Sequence, residues 1–199
     1  MRKAQQDHAL RIRDVGFLPE EEIHSRSKNS TPYEMGHDDG RYPMKRIMDA
    51  AEVASGLDPA ATPKLVKALA DSDSAVRYWG AMGLLMRASA GVKAGHAALV
   101  QALKDASPCV RVVAAEALGR YGEEKDLPQV LDVLTALAPL DKNTVYVALL
   151  AMNALDALGP KARPVKDRIA AMPDKEASLP ERTRGYVSQL KRRILAGLG

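Results

Sequence analysis

The sequence is poor in aromatic residues and contains no long apolar run. Only 4% of its 199 residues are Phe, Trp or Tyr, although 46% are hydrophobic overall. Ala, Leu, Val and Met must therefore build the core, and these side chains favour helix-on-helix packing over a sheet sandwich. The absence of a run of about 18 apolar residues excludes a membrane-spanning helix. The composition predicts an all-α protein.

Cysteine is nearly absent as well. The single cysteine, Cys109, excludes an internal disulfide and any cysteine-based zinc site. It follows Pro108 at a predicted helix start, where the helix dipole can lower a thiol pKa. We interpret it as a packing residue, because no histidine lies at a repeat-compatible distance. Phosphate-binding loops and the HExxH, GxSxG and CxxC motifs are missing too. The sequence therefore predicts no catalytic, cofactor-binding or metal-ligating residue.

The net charge of +4 is unevenly distributed. Residues 1–160 carry 19 basic and 21 acidic side chains, a net charge of −2. Residues 161–199 carry 10 basic and 4 acidic side chains, a net charge of +6. The basic segment suits a solvated helix face, and the alternative is a patch for nucleic acid or a sulfated glycan.

The middle of the chain repeats a helical pattern. SDSAVRYWGAMGLLMRA begins at Ser72 and aligns with ASPCVRVVAAEALGRYG from Ala106, so that Val76 falls on Val110, 34 residues later. A third copy, NTVYVALLAMNALDALG, places Val145 another 35 residues on, and ERTRGYVSQLKRRILAGL is a weaker fourth copy. Each copy follows a shorter helix pattern with apolar residues three and four positions apart. The repeating unit is a helix, a tight turn and a second helix.

In residues 96–120 a leucine-rich helix ends at Asp105, and VRVVAAEALG follows after a short turn. This arrangement resembles a HEAT-type repeat. One such unit cannot bury its own apolar face, so successive units stack into a solenoid. The resemblance implies an all-α HEAT-like helical-repeat solenoid, an α-α superhelix, after an N-terminal helical or irregular connector. The predicted division is a connector at residues 1–43 and a repeat domain at 44–199, with repeats at roughly 44–90, 91–122, 124–159 and 161–199.

Acidic and basic residues recur at the turns of the repeat. Asp105 with Arg111, and Asp71 or Asp73 with Arg77, are predicted to form a ladder of charge-assisted hydrogen bonds. The second helices are expected to line the concave face of the solenoid. The candidate binding residues on that face are Arg77, Arg111 and Tyr146.

The densest polar cluster is YEMGHDDGRY, residues 33–42. Its acidic residues and His37 are of types that can ligate a metal, but their spacing matches no established site, and GHDDG also suits a turn. We therefore expect contacts with a substrate or a neighbouring domain here. The candidate contact residues are Tyr33, His37 and Arg41.

Two strings near the N-terminus, LRIRDVGFLPEEEIHSRS and TPYEMGHDDGRYPMKRI, carry a second resemblance. They are similar to the region that follows the catalytic domain of bacterial sulfatases of the arylsulfatase and heparan-sulfatase type. In that family a G-F-L-P-E-x-E segment comes after the last helix of the α/β core and precedes a helical-repeat extension. The resemblance covers about residues 1–48, and His8 stands where the family usually has tryptophan.

This resemblance implies a C-terminal fragment of a sulfatase-like protein, or a truncated gene product, without the α/β catalytic core. A parent sulfatase would use calcium and a formylglycine made from the first residue of C/S-x-P-x-R. Cys109 lies in PCVRV, which lacks that proline, so no catalytic residue and no cofactor are assigned to this chain. The parent would be periplasmic or secreted, although MRKAQQDHALRIRD lacks the apolar centre of a signal peptide. The apolar stretch from Val15 to Leu18, with Ile23, is expected to be exposed and to lie against the absent domain.

The leading functional hypothesis is a non-catalytic interaction and scaffold module. Its partner would be a sulfatase-like catalytic domain or another protein, with an anionic glycan as a further candidate. The alternative is a HEAT-like nucleic-acid-binding protein that uses the basic C-terminal segment and resembles the HEAT-like DNA glycosylases. Those proteins need a basic concave face and an aromatic pocket, whereas this chain has one tryptophan, Trp79, and a basic surplus confined to its end. A ligand-handling HEAT protein of the lyase type has no distinct residue in its favour.

Overall fold

The computed structural model describes residues 2–173 and 185–199, so part of the predicted fourth repeat, residues 174–184, lies outside the described residues. The described residues form helices and contain no β-strand, which confirms the predicted all-α class. The helices before the repeats are α1 (Arg2–Ile12), α2 (Glu20–Arg26), α3 (Pro32–Gly36) and α4 (Met44–Ser55). The repeats contain α5 (Thr62–Ala68), α6 (Ser74–Met86), α7 (Ala88–Ala102), α8 (Pro108–Tyr121), α9 (Leu127–Leu137), α10 (Val145–Leu158), α11 (Lys166–Ala171) and α12 (Tyr186–Gly197). Short 3-10 helices are formed by Val15–Phe17, Pro59–Ala61, Glu124–Asp126 and Gly159–Val165.

The repeat helices pack in two layers. The second helices α6, α8, α10 and α12 lie side by side in chain order, and α4 precedes α6 in the same layer. The first helices α5, α7 and α9 pack on α6, α8 and α10, the second helices of their own units. Because α8 is enclosed by neighbours from both layers, most of its side chains are buried. Within the described residues, no helix has the length and apolarity needed to cross a membrane.

The second helices begin where the sequence supplies N-terminal caps. The carboxylate of Asp73 accepts a hydrogen bond from the Ala75 amide at the start of α6, and the Thr144 hydroxyl accepts one from the Val147 amide in α10. Proline occupies the first position of α8, where its missing N–H costs no hydrogen bond. Gly159 ends α10 with φ of +55°, a conformation that is strained for residues with a side chain.

Small residues allow the layers to approach closely. Gly80 of α6 faces α5, and a Cβ atom added there would lie 2.9 Å from the carbonyl oxygen of Leu65 and 3.1 Å from Cβ of Ala68. In α8, Ala114 and Ala115 are fully buried. The low aromatic content of the sequence therefore corresponds to short distances between helix backbones.

The N-terminal segment packs on the first helices of the solenoid. The expectation that Val15 to Leu18 are exposed was therefore wrong. Leu18 is buried in a cluster with Tyr42, Ile47 and Val76 from both sides of residue 43. Three further apolar residues, Val15, Phe17 and Ile23, pack against this cluster and are partly buried. The indole Nε1 of Trp79 donates a hydrogen bond of 2.8 Å to the Phe17 carbonyl, and the Tyr42 hydroxyl donates one to the Asp14 carbonyl. The predicted boundary between residues 1–43 and 44–199 stays a prediction.

The close contact of α6 with α5 gives a first testable expectation. Gly80→Ala should lower the free energy of unfolding by about 1–3 kcal/mol, because the added methyl group meets backbone atoms of α5 that cannot move alone. Gly197→Ala is the matched control, since a Cβ at Gly197 has no neighbour within 4 Å. Chemical denaturation of both variants measures the difference, and equal stabilities would contradict the close packing at Gly80.

Candidate interaction surface

The N-terminal ends of three second helices lie next to one another, because α6, α8 and α10 pack side by side. Their first residues or caps carry hydroxyl groups, from Ser74 in α6, Ser107 before α8 and Thr144 before α10. Each helix N-terminus also carries partial positive charge from its unpaired backbone amides. We call the N-terminal ends of α6, α8 and α10 the terminal row. Its chemistry favours a carboxylate.

Helix α2 of the N-terminal segment lies across the terminal row. The buried carboxylate of Glu22 accepts hydrogen bonds from the hydroxyls of Ser74 (2.7 Å) and Ser107 (2.9 Å). The neighbouring Glu21 carboxylate accepts a hydrogen bond from the Thr144 hydroxyl. Two adjacent glutamates therefore contact three helix N-termini that lie 52 to 123 residues away in sequence.

Arg26 balances the charge of Glu22. Its guanidinium donates to Glu22 (2.7 Å) and forms two hydrogen bonds with the Asp73 carboxylate (2.9 and 3.0 Å). Burial alone would lower the pKa of Arg26, but its hydrogen bonds with Asp73 and the charges of Glu22 and Asp73 raise it above its ordinary value. The ion pair is largely shielded from water, so removing one partner would leave an uncompensated buried charge.

Tyr146 also contacts α2. Its ring stacks on the His24 ring, with 4.5 Å between centroids and 9° between planes. Tyr146 was a sequence-derived candidate for the binding face, and the structure places it beside the glutamates of α2.

Cys109 lies at the start of α8, close to the glutamates of α2. Burial raises the pKa of its thiol to about 12, and the negative charges of Glu22 and Glu21 add to the effect. The thiolate is the reactive form of cysteine, so this environment suppresses nucleophilic chemistry. The geometry supports the packing role assigned from the sequence.

Arg77 belongs to a ladder between repeats, although the sequence suggested a different pairing. Its guanidinium forms two hydrogen bonds with the Asp105 carboxylate (2.6 and 2.8 Å) and donates to the backbone carbonyls of Asp71 and Ser72. Each arginine was expected to pair with the aspartate of its own turn. The observed carboxylate belongs to the next repeat, because neighbouring turns are stacked at this edge of the solenoid.

Arg111 occupies the next step of the ladder, and its charge helps to lower the pKa of Asp105, but among the described residues it forms no direct hydrogen bond or ion pair with a carboxylate. Its Nε atom is buried and lacks a hydrogen bond there. The reason lies in the third turn, where Lys142 stands two residues before the cap of its second helix, as Asp71 and Asp105 do in the first two turns. That loop is also longer by two residues. A basic residue therefore ends the ladder at Arg111.

The other sequence-derived candidates lie on the loop around α3, apart from the ladder. Tyr33 is 73% exposed, and its ring lies 4.2 Å from that of His37. Arg41 donates to the Asp38 carboxylate (2.8 Å) and the Ser30 hydroxyl (2.7 Å). The structure thus brings Tyr33 and His37 together on the surface, while the backbone carbonyl of Arg41 accepts a hydrogen bond from Arg26. Within residues 2–173 and 185–199, no group of three or more His, Cys, Asp and Glu side chains is arranged to hold a metal ion.

Several basic residues of the C-terminal segment bind backbone carbonyls. Lys161 donates to the carbonyls of Gly119 (2.8 Å) and Arg120 (3.1 Å) in the last turn of α8. Lys191 donates to the carbonyl of Met172, just after α11 (2.6 Å). A cation at a helix C-terminus is stabilised by the negative end of the helix dipole. Part of the basic excess thus stabilises helix ends.

The comparison with protein families agrees with this architecture. Residues 62–155 match the family model for HEAT repeats, a range that runs from α5 into α10. The chain therefore contains HEAT-like repeats, as its sequence pattern predicts. No curated protein matches the chain significantly.

Sequence reasoning missed the residues of α2 that contact the terminal row: Glu21, Glu22 and Arg26. Three glutamates after Pro19 are an ordinary start for a helix, since acidic side chains suit its first turn. The one local signal was the four-residue spacing of Glu22 and Arg26, which places both on one face. The residues that they contact are distant in the sequence, so the local sequence does not identify them.

The interrupted ladder yields a second prediction. Lys142→Asp should place a carboxylate near Arg111 and raise the free energy of unfolding by about 1 kcal/mol. Lys142→Ala is the control, because it removes the lysine charge without adding a partner. Thermal unfolding should show a midpoint about 2–4 °C higher for Lys142→Asp than for Lys142→Ala. Equal midpoints would show that the longer loop keeps residue 142 away from Arg111.

The Asp105 carboxylate yields a prediction on pH. Burial would raise the pKa of Asp105, but hydrogen bonds from Arg77 and from the Ser107 amide lower it below its ordinary value. Its stabilising effect is therefore complete above the unfolded-state pKa of about 4 and is lost as the pH falls through the lower native-state pKa. Asp105→Asn should be less stable than the wild type at neutral pH.

Denaturation at a series of pH values tests this expectation. The difference in stability between wild type and Asp105→Asn should shrink below pH about 4. A difference that stays constant down to strongly acidic pH would contradict the role of the ionised carboxylate. Asp132→Asn is a suitable control, because the Asp132 side chain is mostly exposed and its ion pair with Arg168 contributes little.

Proposed function

We propose that this chain is a non-catalytic interaction and scaffold module. The observation that carries the proposal is the way the solenoid holds α2, a helical segment distant in sequence, across three second helices. HEAT repeats are themselves suited to an interaction role, since stacked units offer an extended surface. Two side chains of types that can act in catalysis have structural roles here. The Cys109 thiol is buried, and the His96 ring forms a hydrogen bond of 2.7 Å with the Asp126 carboxylate.

A more specific proposal concerns the protein to which this module belongs. We propose that residues 1–43 join or dock it to a sulfatase-like catalytic region. Support comes from the resemblance of the first 48 residues and from the exposure of Ile12 (51%) and Tyr33 (73%) within that segment. The burial of Leu18 restricts the docking surface to these outward-facing residues.

The nucleic-acid alternative and the anionic-glycan partner have weaker support. Both need cations that are available to a polyanion, and Lys161 and Lys191 bind carbonyl oxygens of the chain itself. Arg168 and Arg193 stay largely exposed, but each has a carboxylate beside it, from Asp132 and Asp156, which lowers the local positive charge. We therefore favour a protein partner.

Crosslinking at Tyr33 tests the docking proposal. With p-benzoylphenylalanine in place of Tyr33, we expect light-induced crosslinks in the native cell to peptides of a sulfatase-like catalytic region. Such peptides could belong to the same polypeptide or to a separate chain. The same probe at Gln129, an exposed residue of α9, is the control and should give none of these products.

The gene upstream of Met1 provides an independent check. A continuous reading frame that encodes C/S-x-P-x-R supports a covalent parent. Crosslinks from Tyr33 to unrelated proteins only, or equal products from Tyr33 and Gln129, would contradict the sulfatase proposal. The description of the chain as an interaction module would then depend on the terminal row.

A further inference from the structure

The contact between α2 and the solenoid is almost entirely polar. The buried residue of α2 is Glu22, and Ile23 is its partly buried apolar residue. Contacts with the terminal row are made by carboxylates, a guanidinium and a stacked imidazole. Withdrawing α2 would therefore expose little apolar surface, and its contacts would be replaced by water or by an equivalent set of groups.

The segments on either side of α2 are held differently. Leu18 precedes the helix and is buried, and Met35 and Tyr42 follow it with no exposed surface. These apolar anchors hold the chain to α4 and α6, and the one apolar contribution from α2 is the partly buried Ile23. Since an isolated helix of seven residues is unstable in water, α2 keeps its conformation through the terminal row. It is a short polar segment between two apolar attachment points.

The polar groups of the terminal row determine which side chains a bound helix must carry. Hydroxyls at the N-termini of α6, α8 and α10 match two adjacent carboxylates, those of Glu21 and Glu22. The Asp73 carboxylate matches a guanidinium one helical turn later, at Arg26. This pattern of two acids and a basic residue four positions after the second acid could be supplied equally by another chain.

We propose that the terminal row is a binding site for a partner helix with two adjacent glutamates and an arginine four residues after the second one, and that α2 occupies this site until the partner displaces it. The proposal rests on the proposed function as an interaction module and names the chemistry of its partner. Two features support it: the site already binds such a helix within the chain, and the buried residues on both sides of α2 would keep the chain anchored if α2 left. The charge pattern of the site selects the occupant.

Cys109 provides a built-in reporter for this exchange. It is the only cysteine of the chain, and it is buried close to Glu21 and Glu22. While α2 is bound, its thiol should react very slowly with a disulfide reagent. Displacement of α2 removes the two negative charges that help to raise the pKa of the thiol, so the thiol should then react faster.

The experiment uses the full chain with Glu21→Ala and Glu22→Ala combined. Loss of the carboxylate contacts should increase the rate of Cys109 labelling by about tenfold or more. A peptide spanning residues 19–30 should restore slow labelling when added in trans, and the same peptide with both glutamates replaced by alanine should not. Glu20→Ala is the matched control, because Glu20 is exposed and contacts His24 of its own helix; its labelling should equal that of the wild type.

Circular dichroism and thermal unfolding establish that the double variant is folded, and Glu21→Ala alone replaces it if it is not. Slow labelling in a folded variant would overturn the proposal, because α2 would then not protect Cys109. Equal protection by both peptides would overturn it too, since the site would not recognise carboxylates. Labelling that slows with protein concentration, without peptide, would identify a second copy as the occupant and refute the separate partner. None of these results depends on crosslinking at Tyr33, so the two proposals fail separately.

Discussion

The buried carboxylate of Glu22 determines how the N-terminal segment and the repeats fit together. A charge in this position is tolerated only if it is paired and hydrogen-bonded, and Ser74, Ser107 and Arg26 satisfy it from three directions. Two of these donors belong to different repeats, so α6 and α8 must keep their relative position for the carboxylate to remain compensated. Arg26 extends the network to Asp73. The binding of α2 through this one side chain thus depends on the distance between α6 and α8.

The same electrostatic principle acts at both ends of the repeat helices. Carboxylates of α2 lie at the N-termini of the second helices, where the backbone amides are unpaired. At the C-termini, cations bind the unpaired carbonyls: Arg87 donates to the carbonyls of Val53 and Ala54 at the end of α4, and Lys161 serves α8. These charges come from segments that are distant in sequence. Contacts at the helix termini therefore fix the relative positions of the helices, in addition to the packing of the apolar core.

The architecture was predictable from the sequence because it depends on local periodicity. The 34-residue offset of Val76 and Val110 identified the repeating unit, and the burial of Cys109 agrees with the packing role assigned to it. The contacts of the N-terminal segment were not predictable in this way. Leu18 is buried against residues of α4 and α6, and Glu22 binds Ser107, 85 residues away. A run of apolar residues indicates that these side chains will be buried, but it does not indicate which part of the protein they will pack against.

Small side chains help to explain why the polar contacts with α2 lie at the helix ends. With glycine at position 80 and alanine at 114 and 115, the helices approach closely, and buried aliphatic side chains fill the space between them. The polar groups that bind α2 project from an edge of the layers. Helix N-termini present hydroxyls and amides in fixed positions at such an edge, and stacking repeats a similar arrangement at each step. The spacing of the second helices therefore sets where the charges that hold α2 must lie.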